Sequence, residues 1–178
     1  MSLQIIKGDL CEAAQQVIAH QTKCCNKSSV AGVAKAIFER WPETNLYAER
    51  FQASKAGGDM CDVPGQVHVR VANDGKVVVN LNGQREQGRV EYGMEAKESQ
   101  MQRALWFKQC LLNIPAELGK CGVTTDEIAF PYQVGCDRAG GVWEEYEALL
   151  LEFQQQSGLK VVLYKLDMPP SKGKGKGK

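Results

Sequence analysis

The sequence predicts an α/β domain. Short apolar strands alternate with amphipathic helices, a β-hairpin lies mid-chain, and the last helix runs straight into a final strand. With 178 residues, the length fits one hydrophobic core. Apolar residues at 43% and charged residues at 24% exclude a disordered, collagen-like or fibrous chain. The expected architecture is a three-layer α/β/α sandwich with helices on both faces of a mixed, mostly parallel central sheet. It should occupy residues 1–167, with a disordered Lys/Gly tail at 168–178.

Leu3-Gln4-Ile5-Ile6 reads as a first strand. It runs into Lys7-Gly8-Asp9, where Asp9 and Glu12 stand in the relation of a capping box ahead of a helical turn over residues 10–16. Val17-Ile18-Ala19-His20 is a second strand, too short for a helix. After the polar stretch 21–29, Ser28 or Ser29 can cap a helix whose inner face is Val33, Ala34, Ile37, Phe38 and Trp41, and Pro42 halts it. Val67, Val69 and Val71 alternate with His68 and Arg70, Asn73-Asp74-Gly75 makes a turn, and Lys76-Val77-Val78-Val79-Asn80-Leu81 returns as the more central hairpin arm. Residues 94–113 are expected to form a helix with Met101, Ala104, Leu105 and Leu112 inward, ending before Pro115. Glu127-Ile128-Ala129-Phe130-Pro131 reads as a buried strand and residues 133–141 as a Gly-rich loop. Val142, Tyr146, Leu149, Leu150 and Phe153 recur at helical spacing, and residues 160–166 close the domain as a strand.

Charge narrows the choice of partners. The net charge is +1, but setting aside the four lysines of the tail leaves 18 basic against 21 acidic residues, a body of −3. That body offers no general basic surface for nucleic acid, so any such contact falls to the tail, for which a solubilising role is an equal reading. No apolar run approaches the roughly 20 residues of a membrane span, and the start lacks the layout of a signal peptide, so a cytosolic or nuclear protein is expected. Seven cysteines, an odd number without C-x-x-C spacing, and two histidines favour neither a disulfide framework nor a zinc site. Free thiols are the expectation, with the adjacent Cys24-Cys25 pair a redox candidate ranked below a structural role.

In open α/β sheets, ligands gather at the carboxyl ends of the strands. Four stretches meet that description: Gly8-Asp9, residues 20–32, Asn82-Gly83-Gln84 and residues 133–141. Two of them, Ser28-Ser29-Val30-Ala31-Gly32 and residues 135–141, open directly into helices and suit a phosphate or diphosphate. Neither G-x-G-x-x-G after the first strand nor G-x-x-x-x-G-K-[ST] is present, which sets aside ordinary Rossmann and P-loop readings.

The series Ile6-Lys7-Gly8-Asp9-Leu10, Val17-Ile18-Ala19-His20-Gln21, Ala31-Gly32-Val33-Ala34, Phe130-Pro131 and Gly135-Cys136 followed by Gly140-Gly141-Val142-Trp143 resembles the macrodomain family over about residues 3–166. Within it the sequence looks most like the branch of ADP-ribose 1″-phosphate phosphatases and terminal ADP-ribose protein glycohydrolases. The resemblance implies a pocket for ADP-ribose or a derivative, with no cofactor and no metal. It places Asp9, with Leu10 beside it, at the adenine amino group, a role a carboxylate suits. Asp9 also stands as a plain helix cap. Ser28, Ser29, Val30, Ala31 and Gly32 match the first phosphate and distal-ribose loop, with the two serines where many macrodomains carry glycine. Gly135, Cys136, Ala139, Gly140 and Gly141 match the second phosphate loop. Where the glycohydrolase branch carries its catalytic lysine this chain has Asn82-Gly83-Gln84-Arg85, so no lysine adduct is expected and Gln84 stands as a ligand-binding residue.

His20 matches a histidine of the phosphatase branch and suits proton transfer at the distal ribose, while a semi-buried histidine bonded to backbone is its other reading. Counting back from Trp143, the glycohydrolase Asp-Arg column falls on Ala139-Gly140, so Asp137 is displaced by two residues and stands as a base or a loop cap. The implied activity is metal-independent hydrolysis at the distal ribose, of the 1″-phosphate first. The alternatives are a non-catalytic reader of ADP-ribose or ADP-ribosylated proteins and, ranked last, an ADP-ribosyl-protein hydrolase.

Overall fold

A computed structural model describes residues 2–25, 30–57, 61–90 and 98–167. The expected tail at 168–178, Ser28, Ser29 and the expected helix start at residue 94 lie outside them. Among the described residues six strands form one sheet: β1 (Gln4–Lys7), β2 (Val17–Lys23), β3 (Val67–Val71), β4 (Val77–Gln84), β5 (Glu127–Pro131) and β6 (Lys160–Lys165). Their order is β1-β6-β5-β2-β4-β3. Only the β3–β4 hairpin pairs antiparallel, with Val69 opposite Val79, which leaves β3 on the edge and the more apolar β4 inside.

Side-chain alternation along the interior strands feeds two cores. Val17, Ala19, Val79, Leu81, Phe130 and Leu163 pack with Phe107, Leu111 and Ile114 of α3 (Gln100–Lys120) and with Tyr146, Leu150 and Phe153 of α4 (Trp143–Ser157). Ile18, Val78, Ala129 and Val162 face the other way, onto Ala34, Ile37 and Phe38 of α1 (Gly32–Arg40) and Tyr47 of α2 (Leu46–Lys55). Three layers result. Between Gln21 and Lys23 the β2–β4 register shifts, so Gln21 pairs with Leu81 but Lys23 with Gln84. Such an irregularity at a strand end re-aims the side chains beyond it. No helix of the described residues is long and apolar enough to cross a membrane.

Four local expectations are corrected. On α3, Met101, Leu105 and Leu112 point outward, at 71%, 59% and 56% exposure, and the buried face is Arg103, Phe107, Cys110, Leu111, Ile114 and Leu118. That face has the helical period, but the arginine within it disguises the apolar stripe. The helix also continues through Pro115, whose ring lies on the solvent side while Ile114 and Leu118 are buried around it. Helix α2 was not expected, because few of its residues turn inward; Asn45 starts it by accepting from the Tyr47 and Ala48 amides. Finally, Cys25 and Cys61 form a disulfide instead of staying as free thiols. The two half-cystines lie far apart in sequence, and the loop and hairpin geometry brings them into a β-bridge.

Candidate functional site

The carboxyl ends of β2, β4 and β5 open into a cleft of about 570 Å³ between residues 30–34, 84–89 and 131–139. His20, Val30, Ala31, Gly32, Gln84, Gly135, Cys136, Asp137 and Ala139 all line it. Gly140 and Gly141 lie behind that wall, in the turn that leads into α4. Asp9 and Leu10 are not part of the lining. Asp9 is exposed and caps a 3₁₀ turn (Leu10–Glu12) by accepting from the Cys11 amide at 2.9 Å, whereas Leu10 is buried against α1. Helix α1 starts without a side-chain cap among the described residues, and the first amides of a helix have no intrahelical partner.

His20 is 1% exposed and packs edge-on against Phe38 at 5.3 Å between ring centroids. Its Nε2 donates to Asn80 Oδ1 at 2.7 Å. The Asn80 amide is itself oriented, because Nδ2 donates to the His68 carbonyl at 3.2 Å and leaves the oxygen for the ring. Nε2 therefore holds the proton, and Nδ1 keeps its lone pair, with no partner among the described residues. Burial pushes the imidazole down to about 4, against a smaller upward pull from Asn80. The ring is neutral at physiological pH.

The floor of the cleft is set by close packing around Gln21. Its Nε2 donates to Gln84 Oε1 at 2.8 Å, and Gln84 in turn donates to the Glu86 carbonyl at 2.9 Å. The Gln21 carbonyl oxygen fits between Gly83 and Gly135, where a Cβ on either would come within 2.6 Å. Gly135 has φ +73°, and a Cβ on Gly141 would lie 2.7 Å from both the Gly135 carbonyl and the Tyr146 ring. The second loop can thus lie flat on Tyr146 only because both positions are glycine.

Lys23, absent from the sequence-derived site, enters the same cleft. Its Nζ donates to Gln87 Oε1 at 2.6 Å and sits 5.2 Å from the Tyr47 ring. Burial first, then the Arg50 guanidinium, lower its ammonium from the ordinary lysine range, and Glu86 opposes them. Arg89 and Arg138 are exposed lining residues, and Arg138 arches over Gly32, its Cδ 3.5 Å from where a Cβ would be. Asp137 is exposed and makes no hydrogen bond among the described residues. Cys136 gives its thiol to the Val134 carbonyl; burial, then Glu144 and Glu145, push it up to about 12, which leaves it a poor nucleophile at neutrality. Among the described residues no group of three His, Cys, Asp or Glu side chains is arranged to hold a metal ion.

By sequence, no family model and no curated protein matches the chain. Solved structures do match it in shape. A protein of unknown function from Bacteroides thetaiotaomicron superposes with a TM-score of 0.68 at 21% identity, over 93% of this chain and 99% of its own. The macrodomain of Mycobacterium tuberculosis DarG gives 0.65 at 17% identity, over 94% and 98%. A macrodomain protein from Streptomyces coelicolor gives 0.61 at 17%, over 94% and 100%. The chain has the macrodomain fold.

Within this macrodomain fold the cleft walls are tied together from beneath by a buried ion pair. Arg103 is 2% exposed and pairs with Glu98 through Nε and Nη2. Its guanidinium also donates to the carbonyls of Glu86, Gly88 and Ala139. Glu98 in turn accepts from the Arg85 amide at 2.8 Å and the Glu86 amide at 3.2 Å. Gln100 adds a bond to the Gly140 carbonyl at 2.7 Å. One pair therefore positions both the 85–89 wall and the second glycine loop. Two signals in the sequence could have exposed these supports: a charged residue on an otherwise apolar helical stripe, and the asparagines Asn80 and Asn82 interrupting an apolar strand.

Proposed function

We propose that the protein binds ADP-ribose in this cleft and hydrolyses a phosphate ester at the distal ribose. The observation that carries the reading is His20: a neutral imidazole among the cleft-lining residues, fixed through Nε2 by Asn80, with a buried Nδ1 that has no partner among the described residues. Once ligand binding opens that nitrogen to the cleft, its lone pair can accept the proton of a water molecule attacking phosphorus. In that step the water oxygen bonds to phosphorus, its proton passes to Nδ1, and the bond from phosphorus to the ribose oxygen breaks. The leaving oxygen takes a proton from water in the open cleft, giving ADP-ribose and inorganic phosphate. An imidazole held at about 4 by burial is a weak base. A bound phosphate dianion favours the imidazolium and raises the ring's pKa toward neutral pH.

The diphosphate would sit between the uncapped start of α1 and the glycine loop 135–141, with Arg89 and Arg138 lining the same cleft. Asp9 would receive the adenine amino group on the carboxylate oxygen not engaged by Cys11.

A second reading is a module that reads ADP-ribose or ADP-ribosylated proteins without chemistry. It is favoured by Asp137, which is exposed and makes no hydrogen bond among the described residues, and by Gln84, whose amide is committed to Gln21 and Glu86. Calorimetry with ADP-ribose, with AMP and ribose 5-phosphate as comparators, tests the cleft. Phosphate release from ADP-ribose 1″-phosphate, lost about 10²–10⁴-fold in His20→Ala, tests the chemistry. Binding without release leaves the reader. Release of ADP-ribose from a modified protein, without phosphatase turnover, would point instead to hydrolysis through Asp137.

A further inference from the structure

Helix α2 carries part of the cleft wall on few supports. Of its residues only Leu46, Tyr47 and Arg50 are buried, and from Phe51 onward every side chain except Ser54 is exposed. Tyr47 lines the cleft, its hydroxyl accepts from the Lys23 amide at 3.0 Å, and its ring meets Phe38 of α1 at 5.2 Å. One turn later, Arg50 donates to the Lys23 carbonyl and to Asn82 Oδ1, and its Nη2 reaches the Asp62 carboxylate at 3.0 Å. An element with so little buried surface opens locally at small cost unless a further tie holds it.

That tie is covalent. Beyond the end of α2, Cys61 is bonded to Cys25, just past β2. The disulfide, the β-bridge between its two residues and the Asp62 amide, which donates to the Cys24 carbonyl at 3.0 Å, bring the chain back from α2 to the end of β2. The two sulfurs differ in access, since Cys25 is 2% exposed and Cys61 is half-buried. The neighbouring Cys24 is buried too, and burial pushes its thiol up to about 12, so it does not compete for exchange at neutrality.

We propose that the Cys25–Cys61 disulfide is a reversible clamp on the cleft: reduced by a dithiol, it releases α2 from the wall and weakens the hold of the cleft on its ligand. The thiolate of the dithiol attacks Cys61 Sγ, and a bond forms there as the bond to Cys25 Sγ breaks. Cys25 leaves as a thiolate and takes a proton. The second thiol of the reagent then displaces Cys61, which also takes a proton; two electrons have passed to the protein and the reagent departs as its cyclic disulfide. With the bond open, α2 is held by Leu46, Tyr47 and the Arg50 hydrogen bonds alone, and each opening carries Tyr47 off the wall. The effect on binding rests on the reading of the cleft as an ADP-ribose site; the release of α2 does not.

The test compares the oxidised protein with the same protein in excess dithiothreitol. Alkylation and mass spectrometry should show Cys25 and Cys61 newly reactive in the reduced form. Amide exchange should quicken over residues 46–55 and stay unchanged in α4. ADP-ribose affinity by calorimetry should fall about 5–150-fold, the usual range for coupled sites, and saturating ADP-ribose should shift the reduction equilibrium against the reagent by the same factor. Cys25→Ala/Cys61→Ala should reproduce the reduced form without reagent and not respond to it; should it fail to fold, the unmodified protein decides alone. A bond that resists reduction in the folded protein, unchanged exchange over 46–55, loss of protection in α4 as well, or unchanged ADP-ribose affinity each overturns the proposal. Faster exchange over 46–55 with no ADP-ribose binding in either form upholds the release of α2 and overturns the ligand assigned to the cleft.

Discussion

Replacing Arg103 with methionine should unfold more than a helix surface. The guanidinium is 2% exposed and serves the Glu98 carboxylate together with the carbonyls of Glu86, Gly88 and Ala139. Methionine fills much of the volume but returns none of those bonds, and it leaves Glu98 buried with only the Arg85 and Glu86 amides. Removing one partner of a buried pair costs about 3–5 kcal/mol. For a domain of this size that corresponds to a fall of roughly 6–20 °C in Tm. Urea unfolding, at unchanged m, measures the loss directly. The companion double variant Arg103→Met/Glu98→Leu should lose less than the sum of the two single changes, because it no longer strands a carboxylate. Amides of residues 85–88 should exchange faster in the single variant, since their anchor is gone. A loss below about 1 kcal/mol, or strict additivity in the cycle, would refute the view that this pair holds the cleft walls.

Three further outcomes are expected. His20 has a folded value of about 4 against an ordinary 6.5, so the unfolded chain binds the extra proton between those limits and stability rises with pH there. The contribution, about 3 kcal/mol, is present above pH 6.5 and lost as pH falls to 4. Denaturation at pH 7 and pH 4 should therefore show a larger drop in the unmodified protein than in His20→Gln, and parallel profiles would count against a buried neutral ring. Gly141→Val pushes a side chain to within 2.7 Å of the Gly135 carbonyl and Tyr146, so it should cost about 1–3 kcal/mol and abolish ADP-ribose binding; intact affinity in a folded variant would remove this loop from the site. Asp9→Asn keeps an acceptor for the Cys11 amide but presents a donor to the adenine amino group, so ADP-ribose affinity should fall by roughly 1.5–3 kcal/mol at unchanged Tm, and calorimetry showing no change would free Asp9 of that role.

Much of the architecture was legible because the interior strands are nearly continuous apolar runs and α4 carries an uninterrupted stripe from Tyr146 to Phe153. What escaped did so for physical reasons. Arg103 occupies a core position on α3, so the apolar count favoured the opposite face, where Met101 and Leu105 are exposed. Pro115 was taken for a stop although a proline on the outer side costs the helix little beyond one bond. The pairing of Cys25 with Cys61 leaves no spacing signature, since a β-bridge and not a motif brings them together. In the site, His20 could be picked out along the chain, but its partner Asn80 comes from a neighbouring strand and fixes the tautomer only in the folded register. Lys23 was hidden in a polar stretch that looked like loop, whereas β2 continues through it.

The disulfide also gives the molecule a topological property. By joining Cys25 to Cys61, it makes the intervening chain, with α1 and α2, a covalently closed ring attached to the rest of the backbone at the cystine. The lining residues of one side of the cleft, from Val30 to Tyr47, are carried on that ring. A protease that cuts a single peptide bond within it opens the ring but releases nothing: the two pieces stay one molecule until a reductant is added. Nicked protein should migrate as one band in denaturing gels without reductant and as two with it.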